Sequence, residues 1–179
     1  MTTTFFMDGC VSNNDEAVKY FDEIYFPVQD MIDFDNQFQE SMQQMVVASD
    51  QVFKEDDTLV DDDDYIEAIR SIEEAYLNLG QFVNENANNI KKVKIYNNET
   101  ELQRAALTLF KTYNKVIETD FSEMLTILKM ENPDEDNNKR FNTLLKSSNA
   151  SLNHELQNFY DLAIEYGERY QIDLEFDEE

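Results

Sequence analysis

Only one residue in the chain is equipped for general acid–base work at neutral pH. A nucleophile–histidine–acid relay needs histidine as its base, and the only one is His154, on a stretch whose apolar positions are Leu152, Leu156 and Phe159. That setting reads as a surface histidine beside an amphipathic stripe. Zinc needs several Cys or His at short spacing, and Cys10 and His154 are one of each. A bundle di-iron centre needs Glu-x-x-His, but Ser151 stands three before His154. Three separate glycines cannot build a phosphate-cradling loop. The run Asp61-Asp62-Asp63-Asp64 invites calcium, yet an EF-hand loop requires a central Gly that the stretch from Glu55 to Asp64 lacks. With 39 acidic side chains, spacing alone nominates no acid–base pair. The expectation is therefore no catalytic residue, no metal ligand and no cofactor.

Two clusters remain as binding candidates. Lys91, Lys92 and Lys94 form the only basic cluster; it could hold a phosphate or an acidic lipid headgroup, or serve as cations completing the dipole at a helix C-terminus. Tyr160, Tyr166 and Tyr170 crowd the end of the last apolar pattern; they are the candidate partner surface, against the alternative that they pack internally.

Long helices must position these groups. The chain of 179 residues is enough for one domain with a substantial core, and its 41% hydrophobic and 12% aromatic content sets it apart from disordered acidic chains. Gly 3 and Pro 2 are too few for hairpins, which need those residues for their backbone angles. The spacing predicts an all-α antiparallel bundle of long amphipathic helices at about 14–57, 64–95, 99–130 and 133–172, with a loosely ordered segment 1–13 and an acidic tail 173–179.

In the first helix Phe21, Ile24, Val28, Met31, Phe38, Met42, Met45 and Val52 alternate by three and four. Pro27 should kink or divide it, with a bend near Glu23. Asp35 falls on the same seam and is expected at a solvated edge or paired to a lysine. The acid run before the second helix reads as a loop whose aspartates suit a helix N-terminus. Ile66, Ile69, Ile72, Tyr76, Leu79 and Val83 form the second seam, continued by Ile90 and Val93, with Gly80 marking close packing or weakness. Asn98 with Glu101 reads as a capping arrangement for the third helix. Its seam of Leu102, Ala106, Leu109, Tyr113 and Val116 continues as Phe121, Met124 and Leu128, one position out of step. Asn132-Pro133 reads as cap and first position of the fourth, whose seam runs from Phe141 through Leu152 and Phe159 to Tyr170.

The string Glu99-Thr100-Glu101-Leu102-Gln103-Arg104-Ala105-Ala106 resembles a segment of the last long helix of BAR-domain proteins of the Chibby-interacting type. The order of long helices, the proline in the first and the short acidic loop after it are similar too. The resemblance implies an antiparallel homodimer, curved by kinked helices and working at membranes through basic residues. This chain departs from that pattern in its acidity and in its shorter second and third helices.

A net charge of −25 repels nucleic acid and anionic lipid and attracts basic partners. No basic, apolar leader opens the sequence, and no apolar run spans a bilayer, so the expected location is cytoplasmic or nuclear. The expected function is that of a non-catalytic protein–protein interaction subunit, an adaptor or scaffold. The alternatives are an acidic decoy of nucleic acid binding a basic protein, and a shortened BAR-like membrane-associated dimer.

Overall fold

Alternating three-and-four spacing makes an apolar stripe on a helix, and a stripe is stable only when another helix covers it. Here four such stripes cover one another. The computed structural model describes residues 13–54, 62–130 and 133–173. Among them the helices are α1 (Asn13–Lys54), α2 (Asp62–Ile90), α3 (Glu101–Val116), α4 (Ser122–Leu128) and α5 (Glu135–Tyr170), and there is no strand. A single π-helical turn, Ile117–Phe121, joins α3 to α4 as one continuous rod. The expectations for residues 1–12, for most of the acidic run after Lys54, for the Asn132 cap and for the acidic tail from Leu174 on lie outside the described residues.

The four rods run up, down, up and down. Side-chain contacts fix that order. Phe34 meets Phe82 with ring centroids 4.7 Å apart, and Ser41 Oγ lies 3.2 Å from Ser71 Oγ, so α1 and α2 are antiparallel. The Tyr76 hydroxyl donates to the Ile117 carbonyl at 3.2 Å, and Asn114 Nδ2 donates to Asn84 Oδ1 at 3.0 Å, which sets α2 against the third rod. Arg140 grips Glu123 through two nitrogens at 2.7 and 2.8 Å, while Ser148 Oγ donates to Asp120 Oδ2 at 2.9 Å, which sets α5 against it. The Tyr166 hydroxyl closes the ring by donating to the Ala17 carbonyl at 3.3 Å.

One core runs through all four rods. Phe38, Phe110, Phe121, Phe159, Met31 and Met45 are fully buried in it, and Phe38 and Phe121 sit 4.7 Å apart across its middle. The predicted seam positions Phe21, Ile24, Val28, Ile72, Leu79, Leu109, Met124, Leu152 and Ala163 are all buried. Ile66, predicted on the second seam, is instead 49% exposed. Lys129, just past α4, pairs with Glu73, so the first turns of α2 project beyond the level at which α4 ends.

Several boundaries differ from those the sequence suggests. α1 continues unbroken through Pro27, where the expectation allowed division in two; one lost N–H bond costs less than the seam on either side returns. α2 stops at Ile90 rather than near residue 95, because Gln103 Nε2 takes the Ile90 and Val93 carbonyls at 2.7 and 3.1 Å and turns the chain. Asn98 does not cap α3: it lies in the left-handed region at φ 64, and Thr100 holds the N-cap position without a side-chain cap bond. α5 is capped by Asp134, whose carboxylate accepts from the Asn137 N–H at 2.8 Å, two residues later than the expected cap. Gln171, left-handed at φ 54, ends α5, and the Ile172 N–H returns to the Gly167 carbonyl at 2.9 Å.

Candidate functional site

Asp35 breaks the apolar pattern of α1 most sharply. The sequence places it at a solvated edge or beside a lysine; the structure corrects both. Its carboxyl turns inward, with Oδ2 accepting from the Tyr113 hydroxyl at 3.2 Å and Oδ1 sealed from solvent without a hydrogen-bond partner. Burial pushes this carboxyl above its ordinary range, against the pull of the hydrogen bond from Tyr113. Burial likewise pushes Tyr113 up, and Asp35 adds to that shift. Tyr20 rises to about 12 through burial, and Tyr166 rises for the same first reason. A phenol held protonated is a hydrogen-bond donor and not a nucleophile. His154 is exposed on α5, as its stripe suggests. Among the described residues no group of His, Cys, Asp and Glu is arranged to hold a metal ion, and no helix is long and apolar enough to cross a membrane.

The three tyrosines do not make one face. Tyr166 is buried at 3% exposure, and its ring stacks on Phe21, centroids 5.9 Å apart; as a partner-contacting residue it is corrected to a core residue, since it sits on the inward stripe of α5 with Phe159 and Ala163. Tyr160 is half-buried and accepts from Gln29 Nε2 at 3.2 Å. Tyr170, also half-buried, sits at the end of the bundle, where its hydroxyl donates to Glu99 Oε1 at 3.0 Å and accepts from Asn97 Nδ2 at 3.2 Å.

The lysine cluster is brought to that same end. Lys91 and Lys92 follow the last residue of α2, where cations complement the helix dipole, and Lys94 stands farther out on the connector to α3. Lys92 and Lys94, with Ile95 and Tyr96, form one wall of a groove of about 660 Å³; Glu16, Lys19, Tyr20 and Glu23 of α1 form the other. Glu99 anchors this end: Arg169 Nη1 donates to its Oε1 at 2.5 Å, and the Tyr20 hydroxyl donates to its carbonyl at 2.6 Å.

Comparison of the sequence with models of known protein families, with curated proteins and with solved structures gives no match.

The opposite end carries a second groove, of about 610 Å³, along the outer side of α1 and α2. Val47, Ala48 and Ala68 give it apolar walls, while Glu40, Asp64 and Glu67 place carboxylates along it. Val47 is 57% exposed, and Val46 and Ile66 are exposed on the same two projecting ends. Sequence reasoning passes over this groove because Val46 and Val47 fall between the seam positions Met42, Met45 and Val52. That offset is itself a signal: Val46 and Val47 lie off the stripe that packs into the bundle, and both are exposed.

Proposed function

We propose that this protein is a non-catalytic protein-binding module, an adaptor or scaffold subunit, whose partner presents a basic amphipathic helix to the α1–α2 groove. The observation that carries the reading is the groove itself: an exposed apolar strip around Val47, bordered by Glu40, Asp64 and Glu67, on a chain of net charge −25. A helix lays its apolar face into such a strip while its cations meet the carboxylates at the rim, and the acidic field speeds the encounter.

A second reading, the acidic decoy of nucleic acid, draws on Asp30, Asp33 and Glu40, which lie exposed along α1 with half-buried Asp22 beside them. Such a row engages a basic groove by charge alone. The BAR-like dimer would need an apolar stripe on this chain to be covered by a second copy.

A synthetic amphipathic helix of leucines on one face and lysines on the other separates these readings. The module reading expects saturable binding by titration calorimetry that Val47→Asp abolishes and that moderate salt only weakens. Binding that vanishes with salt and ignores Val47 would transfer the function to the decoy, and no binding would sink the module.

A further inference from the structure

The connector between α2 and α3 is a cationic ledge in an acidic chain, and it is held rigidly. Gln103, buried beneath it, fixes the Ile90 and Val93 carbonyls; Tyr96 meets Tyr170 edge-on at 5.4 Å; Asn97 is tied to the Tyr170 hydroxyl. Asn97 and Asn98 both hold left-handed backbone angles, φ 48 and 64, which asparagine tolerates better than most residues. Among the described residues neither Lys92 nor Lys94 has an ion pair, although acids outnumber bases 39 to 14. Lys19, across the groove, reaches Glu23 only at 3.7 Å, in an exposed pair that costs little to exchange. Beside these ammonium groups lies Ile95, 46% exposed.

We propose that this groove docks a phosphorylated segment of a partner protein, with Lys92, Lys94 and Lys19 taking the phosphate monoester and Ile95 taking the apolar body beside it. A phosphate brings two negative charges and three acceptor oxygens, a match for three ammonium donors lining one groove. The rigid ledge spends little entropy on binding. The opposite wall narrows the ligand further. Glu16 and Glu23 repel a continuous run of negative charge, as does the net charge of −25, so an extended polyanion or an anionic bilayer fits poorly. They favour instead a cationic residue next to the phosphate. The site lies at the other end of α1 from the Val47 groove, so it stands or falls independently of the helix-binding reading.

The test uses the full chain and amide chemical shifts, with four probes: a short capped peptide of arginine beside phosphotyrosine, its unphosphorylated twin, inorganic phosphate, and phosphatidylserine-containing vesicles. The expected result is saturable shifts at residues 92–97 and Glu16 to Glu23 with the phosphopeptide, and none with its twin. The double variant Lys92→Gln/Lys94→Gln should weaken binding roughly tenfold while still unfolding in one cooperative transition, because both side chains are exposed. Overturning results are a silent phosphopeptide, equal binding by the twin or by the double variant, or inorganic phosphate binding as tightly as the peptide. Vesicle association that the double variant loses would overturn it in favour of a lipid headgroup.

Discussion

A carboxyl group turned into an apolar core keeps its proton to higher pH than one in water, because burial penalises the charged form. Asp35 is in that position, with one oxygen accepting from Tyr113 and the other without a partner among the described residues. In the unfolded chain it ionises in the ordinary carboxylate range; in the bundle it does so higher. Between those two values the folded chain holds more protons than the unfolded one, so stability falls as pH rises through the interval. We expect Asp35→Asn to be more stable than the native chain at neutral pH, by about 1–2 kcal/mol. Below the ordinary carboxylate range, where both states of the native chain are protonated, the two proteins should converge. Urea titrations at neutral and acid pH read this difference directly; a native chain that is the more stable at neutral pH would mean that the ionised carboxylate is favourably held.

At the scale of elements, the third rod solves a problem of phase. Its seam runs in register from Leu102 to Val116, then resumes one position late at Phe121 and Met124. A π turn inserts one residue into a helix without ending it, and the turn Ile117–Phe121 absorbs the slip, so both halves face the same core. Tyr76 donates to the Ile117 carbonyl at the start of that turn, so α2 packs directly over it. Gly80, one turn farther along α2, has only an ordinary neighbour where a Cβ would go, the Ile117 Cγ2 at 3.7 Å. Close approach therefore does not require glycine there. Gly80→Ala should stabilise the protein by about 1 kcal/mol through the helix propensity it restores, measured as a rise in the urea midpoint. A loss of stability would instead reveal that the contact between α2 and the π turn has no room to give.

At the scale of the whole molecule, charge works against the fold that the apolar stripes build. A chain of −25 repels itself when compact, and that repulsion is long-ranged enough for salt to screen. Among the described residues the ion pairs that bind the rods, Arg140 with Glu123, Lys129 with Glu73 and Arg169 with Glu99, are few and partly exposed, so screening them costs little. Raising sodium chloride from low to physiological strength should therefore stabilise the bundle by about 1 kcal/mol, roughly 2–4 °C in unfolding temperature for a chain of this size. Calorimetric scans across that range provide the measurement, and a falling temperature would mean that the ion pairs outweigh the net repulsion.

The all-α class, the four rods and most of the core positions could be read from the chain alone, because helical periodicity is a local property: a stripe at three-and-four spacing needs a cover whatever supplies it. Phe110 and Leu144, buried beside the expected stripes, could not. The slip between Val116 and Phe121 was equally visible, as a break in phase. What covers each stripe was not legible, since it depends on residues brought together from distant parts of the chain. That is why Asp35 reads as a solvated edge or a lysine's partner until Tyr113 closes over it, and why Tyr166, on the seam, stays open between partner surface and core until Phe21 stacks against it. The end of α2 escaped for a related reason: Gln103, thirteen residues beyond Ile90, competes for its last carbonyls. The two grooves belong wholly to tertiary structure. Val47 lines an open groove only where α1 and α2 run past the other rods, and Lys92 faces Lys19 only because the bundle returns the second helix to the start of the first.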